Sequence, residues 1–343
     1  MVKKVFLKGV SFVIILYLII ITLNSIFVVK SNTSAKLVQG LYANAEDPYD
    51  VVLMGSSHMN DLINPNTLWN KYGITSFNYA TGGQTMDVTY YLLKEVLKKH
   101  KNPIVVVDLY YLGSTNEFGS EGYVRTSLDH LKLSQNKIAA IINCTPQEQW
   151  INYFVSIFKY HGRFKELTKN DFKFDISSTY YQKGFDSSHD LYGKGNTSSQ
   201  LATGTVNLPP KSEEYLNKII DLSKKEDFKL IFTNAPHDYN STAGFNNWEK
   251  HPAKMFNKVA EILKNDNIPF INYNNMLDEL GVDFKTDMKN IGHLNVLGAN
   301  KVTSNLGKYL KENYRLTDHR NDEKYKKWNS DYIHYLNVEA AKK

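Results

Sequence analysis

The chain has 343 residues and only one cysteine, Cys144. A single thiol excludes an intramolecular disulfide and a zinc site built on cysteines, so Cys144 reads as a small buried hydrophobe. There is no Gly-x-Gly-x-x-Gly fingerprint and no P-loop, which removes two common nucleotide sites. The histidines are dispersed, so neither a metal nor a cofactor is expected. The net charge is +6, and the lysines are scattered without a basic stripe. That balance favours solubility and some attraction to anionic surfaces over nucleic-acid recognition. No internal repeat or low-complexity tract is present.

Apolar residues are well supplied, at 42%, and suit a packed core. Aromatics are plentiful, with 23 Tyr and 17 Phe. They suit a large core and equally a protein that handles sugars. At the N-terminus, Lys3, Lys4 and Lys8 precede an uncharged run of 21 residues, Gly9 to Val29. At ~1.5 Å per residue the run spans ~30 Å, the thickness of a bilayer's hydrocarbon core. The apolar part of a cleaved signal peptide is shorter, roughly 7–15 residues, and ends in small residues. A signal anchor over residues 1–30 is therefore expected. The preceding lysines favour a cytoplasmic N-terminus, with the rest of the chain outside the cell membrane.

After a polar stalk, 31–46, strand and helix signals alternate. Strands are predicted in Asp50–Gly55, Thr75–Ala80, Pro103–Leu112, Lys229–Pro236 and Ile268–Tyr273. Helical spacing marks Pro65–Tyr72, with Gly73 as its stop, and Gln84–Lys101. Helices also precede the fourth and fifth strands, and a last one runs from about Val296 to Tyr314. This predicts an α/β domain over 47–315: a three-layer αβα sandwich around a mostly parallel five-stranded sheet. Residues 113–208 form an insertion that breaks the rhythm. Helices are expected there in KIAAIINC and QEQWINYFVSIFKYH. Such an insertion builds a lid, a substrate wall or a structural subdomain. His161 and Arg163 within it could meet substrate or end a solvated helix. The tail, 316–343, is charged and aromatic and is expected to pack on the surface.

Ligands of an open parallel sheet bind outside the carboxyl ends of its strands. Ser57 follows the first strand in VVLMGSSHMN, and Gly82 and Gly83 follow the second. Asp108 and Tyr110 end the third, and Asn234 and His237 the fourth. DMKNIGHLNVLGAN, with His293, follows the fifth. A serine and a histidine distant in sequence thus converge on one edge. Taken alone, a Gly-Ser-Ser corner is more often a helix cap than a nucleophile. Convergence with His293 favours the nucleophile.

These motifs jointly resemble the SGNH/GDSL hydrolases over about residues 47–315. The resemblance is to their membrane-anchored bacterial branch, which includes exopolysaccharide O-acetyltransferases and the D-alanylation protein of teichoic acid synthesis. It implies that Ser57 is the nucleophile and that Ser57 and Gly83 supply oxyanion-hole N–H groups. It makes His293 the general base, oriented by the residue three before it, which is Asn290 where that family has aspartate. The family's Gly-x-Asn-Asp motif is absent after the third strand; Tyr110, Tyr111 or Asn234 could donate instead. Asp287 is a second candidate to orient His293. His58, adjacent to Ser57, is expected to point away from it and to pack or line the pocket. The resemblance implies acyl transfer, acetyl above all, to or from hydroxyls of a cell-envelope polysaccharide. It also implies a polytopic membrane O-acyltransferase as partner. A plain esterase and a non-catalytic glycan-binding or assembly protein are the alternatives.

Overall fold

The computed structural model describes residues 2–30, 37–38, 41–42, 49–172, 177–195 and 200–342. Five strands, β1 (Val51–Met54), β2 (Ser76–Asn78), β3 (Ile104–Asp108), β4 (Lys229–Asn234) and β5 (Phe270–Asn272), form one sheet in the order β2-β1-β3-β4-β5. Every pairing is parallel. The five predicted strands are all present, each shorter than its apolar run. Alternation sorts their side chains onto two faces. Val52, Met54, Val105, Val107 and Phe232 join one core, and Val51, Leu53, Ile104, Val106 and Ile231 the other. Burial on both faces explains why these strands read as continuous apolar runs.

Helices cover both cores. On the first lie Met86–Leu97, Gln135–Cys144, Pro210–Glu226 and Pro252–Asn265; on the second lie Pro65–Tyr72 and Val296–Asn313. The architecture is the expected α/β sandwich. Local chemistry sets the helix ends. Asn64 caps Pro65–Tyr72 by accepting from the Asn66 N–H, and Gly73 closes that helix at φ 66°. The chain reverses its winding between β1 and β3, and a crevice opens at such a switch point.

The N-terminal helix, Val2–Phe27, is long and apolar enough to cross a membrane. The segment expected as a stalk lies mostly outside the described residues; Leu37, Val38 and Leu41 within it are buried in the first core. Cys144 is buried and free. Two expectations need correction. QEQWINYFVSIFKYH is not one helix; it breaks into Gln147–Gln149, Trp150–Phe154, Ile157–Tyr160 and His161–Lys165. Asn24 of the N-terminal helix meets the chain at the break between Phe154 and Ile157. Its amide donates to the Phe154 carbonyl at 3.0 Å and accepts from the Ile157 N–H at 3.3 Å, replacing helical hydrogen bonds. Nor does the tail merely lie on the surface. It forms a helix, Lys326–Ala341, that buries Trp328 against Trp69 and Tyr49 and bonds Tyr335 to Asn64 at 3.0 Å.

Candidate active site

The corner after β1 is built for a tight exit. Gly55 has φ 140°, and a Cβ there would meet Asp108 and Met59 at 3.1–3.3 Å. Ser56 caps the helix Ser57–Leu62 by accepting from the His58 N–H. Ser57 is therefore the first helical residue, at the carboxyl edge of the sheet. Thr81 ties the β2 loop to this corner through its N–H to the Gly55 carbonyl, 3.2 Å.

His293 approaches on a small hairpin closed by the Met288–Leu294 bridge and by the Lys289 N–H to the His293 carbonyl, 2.9 Å. The Asn290 side-chain oxygen organises the turn. It accepts from the Gly292 N–H, the His293 N–H and His293 Nδ1, each at 3.0 Å. An acceptor at Nδ1 places the ring proton there, so the lone pair of Nε2 faces Ser57 Oγ, 2.9 Å away. Burial, then the Lys289 ammonium and His237, push His293 down to about 4. The imidazole is thus neutral at neutral pH, with its Nε2 lone pair free to take a proton. Asp287 takes no part in orienting it: its carboxylate accepts from Lys301 and from the Asp283 N–H, both at 2.7 Å.

Gly83 adopts φ 61°, and the Tyr123 ring packs where a Cβ would sit. Neither the Ser57 nor the Gly83 N–H donates a hydrogen bond among the described residues. Both are therefore open to an acceptor, as an oxyanion hole requires. One of the other candidate donors, Asn234, is engaged elsewhere. Asn234 donates to Asn272 at 2.9 Å and to the Tyr239 hydroxyl at 3.3 Å, while Tyr111 packs on Trp248. Asp108 accepts from the Tyr110 N–H at 3.1 Å and the Ala235 N–H at 2.9 Å, bracing the ends of β3 and β4. Tyr110 stacks on His58, which stacks in turn on His293 with centroids 4.1 Å apart. His58 packs into the pocket as a buried wall, and burial holds it well below its ordinary range.

One neighbour escaped the sequence reading. Asp61 Oδ2 lies 4.0 Å from His293 Nε2, and its other oxygen accepts from Lys289 Nζ at 2.9 Å. Burial pushes this carboxyl up to about 8, against the pull of the ammonium. The signal was available, because Asp61 stands four residues after Ser57 on one helix and so shares its face. The insertion divides into two roles. Its second part runs beside the site, with the Asp186 N–H on the Asn60 carbonyl and the Tyr192 N–H on the Met288 carbonyl. A cavity of about 540 Å³ opens there beside Asn290, with a polar lining that includes Asp186, Ser188, His189, Lys289 and Lys342. Its first part packs on the N-terminal helix. Arg163 bonds the Phe27 carbonyl and pairs with Asp171 at 2.8 Å, and His161 is exposed. Neither His161 nor Arg163 enters the site.

No family model and no curated protein matches the chain. Among solved structures it is similar to a Bacteroides fragilis protein described as a putative acylhydrolase, at 13% identity and a TM-score of 0.39. The match covers 80% of this chain and 94% of that one. So remote a likeness assigns nothing to the site.

Proposed function

We propose that the chain is a serine-dependent acyl-transfer enzyme acting on hydroxyls of a cell-envelope glycan from the outer side of the membrane. The observation that carries this reading is the alignment Ser57 Oγ, His293, Asn290 Oδ1, with contacts of 2.9 and 3.0 Å around a neutral imidazole. Ser57 Oγ attacks the acyl carbonyl carbon while His293 Nε2 takes its proton. The N–H groups of Ser57 and Gly83 stabilise the oxyanion. Collapse returns the proton to the departing alcohol or thiol and leaves an acyl-serine. An acceptor hydroxyl then gives its proton to His293 and attacks; the acyl–Oγ bond breaks, His293 returns the proton to Ser57 Oγ, and the acyl group leaves on the acceptor; water in its place gives hydrolysis. Asn290 holds the tautomer but brings no charge. Asp61 lies 4.0 Å from Nε2, but burial pushes its carboxyl up to about 8, so it is largely uncharged at neutral pH and does not replace that charge.

The polar cavity beside Asn290 favours a hydroxyl-rich substrate over an aliphatic ester. The apolar N-terminal helix supports work at a membrane; a polytopic acyl donor as partner rests on the family resemblance alone. The decisive test is intact-mass measurement of the full chain in detergent after exposure to p-nitrophenyl acetate. An acetyl adduct is expected on wild type and absent in Ser57→Ala, and its formation is strongly slowed in His293→Ala. Adduct formation undiminished in Ser57→Ala would sink the assignment. Supplying a glycan acceptor separates transfer from hydrolysis by where the acetyl group ends. The absence of a carboxylate at 290 and the turned-away Asn234 favour a second reading, a glycan-binding protein that has kept the fold. That reading predicts glycan binding with no adduct on any variant.

A further inference from the structure

A second cavity, of about 810 Å³, lies far from the serine, between the N-terminal helix and the first part of the insertion. Tyr17, Ile20, Ile21, Asn24, Ser25 and Val28 line one wall. Their spacing of three and four residues makes them a single helix face. From Tyr17 to Val28 that face is ~16 Å long, about half the hydrocarbon thickness of a bilayer. The facing wall comes from the insertion and includes Leu131, Phe154 and Val155.

The base of this cavity is cationic. Lys132 and Lys137 line it together with Lys30. Lys137 donates to the Asp129 and Leu131 carbonyls at 3.2 and 2.9 Å, and Lys132 lies over the Tyr42 ring. Neither ammonium group contacts a carboxylate among the described residues; burial lowers the Lys137 pKa, and the nearby Asp129 offsets part of that. The one lining carboxylate, Asp129, is already engaged by Arg125 at 3.3 Å and by the Tyr160 hydroxyl at 2.6 Å. Burial raises its pKa, which weakens its charge further. The result is a slot with an apolar wall continuous with the membrane helix and positive charge at its foot.

We infer that this slot binds an anionic phospholipid, its acyl chain along the Tyr17–Val28 face and its phosphate over Lys132 and Lys137. The inference rests on the reading of Val2–Phe27 as membrane-embedded, not on the chemistry at Ser57. Charge complementarity selects the headgroup, and the bilayer around the helix supplies the chain. The lipid would fill the seam where the domain meets its anchor and hold the domain at a fixed height above the membrane.

The test uses the full chain in nanodiscs that contain phosphatidylglycerol or phosphatidylcholine with identical acyl chains bearing a diazirine. Photolabelled residues are mapped by mass spectrometry. Labelling by phosphatidylglycerol is expected to concentrate on Ile20, Ile21 and Phe154. Each lysine near a membrane surface contributes roughly fivefold in affinity for anionic lipid, so phosphatidylcholine should label about tenfold less or weaker still. Joint Lys132→Gln and Lys137→Gln should remove this headgroup preference. Because those changes lie in the folded domain, Ile21→Trp offers a second probe: it fills the slot from the helix side and should abolish the focused labelling. Ile19→Trp, on another face, should not. Excess inorganic phosphate should leave the labelling intact, since the chain supplies part of the binding. Equal labelling by both lipids, labelling spread around the helix, or displacement by phosphate alone would overturn the inference. A chain that fails to enter nanodiscs would overturn the membrane reading on which it rests, while the adduct test at Ser57 would still stand.

Discussion

The carboxyl edge of the sheet has two halves, and they use polar residues in opposite ways. After β1 and β5, Ser57, Asn290 and His293 point at one another and leave the Ser57 and Gly83 N–H groups open. After β3 and β4, Asp108, Asn234 and His237 bond chiefly to the framework, although the Asn234 side-chain oxygen is left without a partner. Asp108 takes two backbone N–H groups, Asn234 gives to Asn272, and His237 Nδ1 bonds the Ala235 carbonyl at 2.7 Å. Both halves carry residues suited to catalysis. What separates them is whether the hydrogen-bonding capacity is consumed inside the fold. A polar side chain at a strand end becomes chemistry only when its partners are left for a substrate.

Substitutions should separate the halves cleanly. In the chemical half, Asn290→Ala removes the acceptor that fixes the His293 tautomer. Turnover should fall by ~10²-fold or more, while thermal stability changes little; stopped-flow acylation and calorimetry read the two. In the framework half, Asp108→Ala strips the Tyr110 and Ala235 N–H groups of their acceptor. A loss of about 3 kcal/mol in urea denaturation is expected, with acylation of the folded fraction retained. Loss of activity at full stability would break the division. Asp61→Asn sits between the extremes. The Asp61 carboxyl, raised to about 8 by burial, is largely neutral at pH 7, so acylation there should change only about twofold, and Lys289→Met should shift the acid limb of the rate profile upward by relieving its depression of His293.

The mildest probe is pH. Activity needs neutral His293, so the rate should fall as pH drops through about 4. Stability has its own profile. His58, His100, His130, His237 and His293 are all held below their ordinary 6.5 by burial. Their unfolded forms take protons first, so stability declines as pH falls from 6.5 towards about 4. Asp61 and Asp108 run the other way. Burial raises them to about 8 and about 7, so they favour the folded state at lower pH, and that contribution is lost as pH rises through those values. Melting temperature should therefore peak near pH 6.5, where the two slopes meet. A peak well above pH 8 would show that the buried carboxyls are charged in the folded state.

Much of this was legible in the chain itself. Apolar runs announced the central strands β1, β3 and β4, buried on both faces, and the carboxyl-edge rule brought Ser57 to His293 across 236 positions. Asp61 was missed although its place four residues after Ser57 was readable. Lys289 was not readable, because its position depends on how the 288–294 hairpin folds. The choice between Asn290 and Asp287 was equally hidden, since it turns on Lys301 capturing the aspartate. The broken helix after Thr145 was hidden as well. Asn24, which takes up hydrogen bonds at the break, lies 130 positions earlier, and no short window along the sequence contains both.

That contact has a consequence for how the protein must be handled. Asn24 completes the backbone of a segment synthesised long after it. Cutting the chain at residue 30 to obtain a soluble domain would strand the Phe154 carbonyl and the Ile157 N–H, and the splinted turn would lose its shape. A helix that also splints a later segment ties the shape of that segment to its own placement.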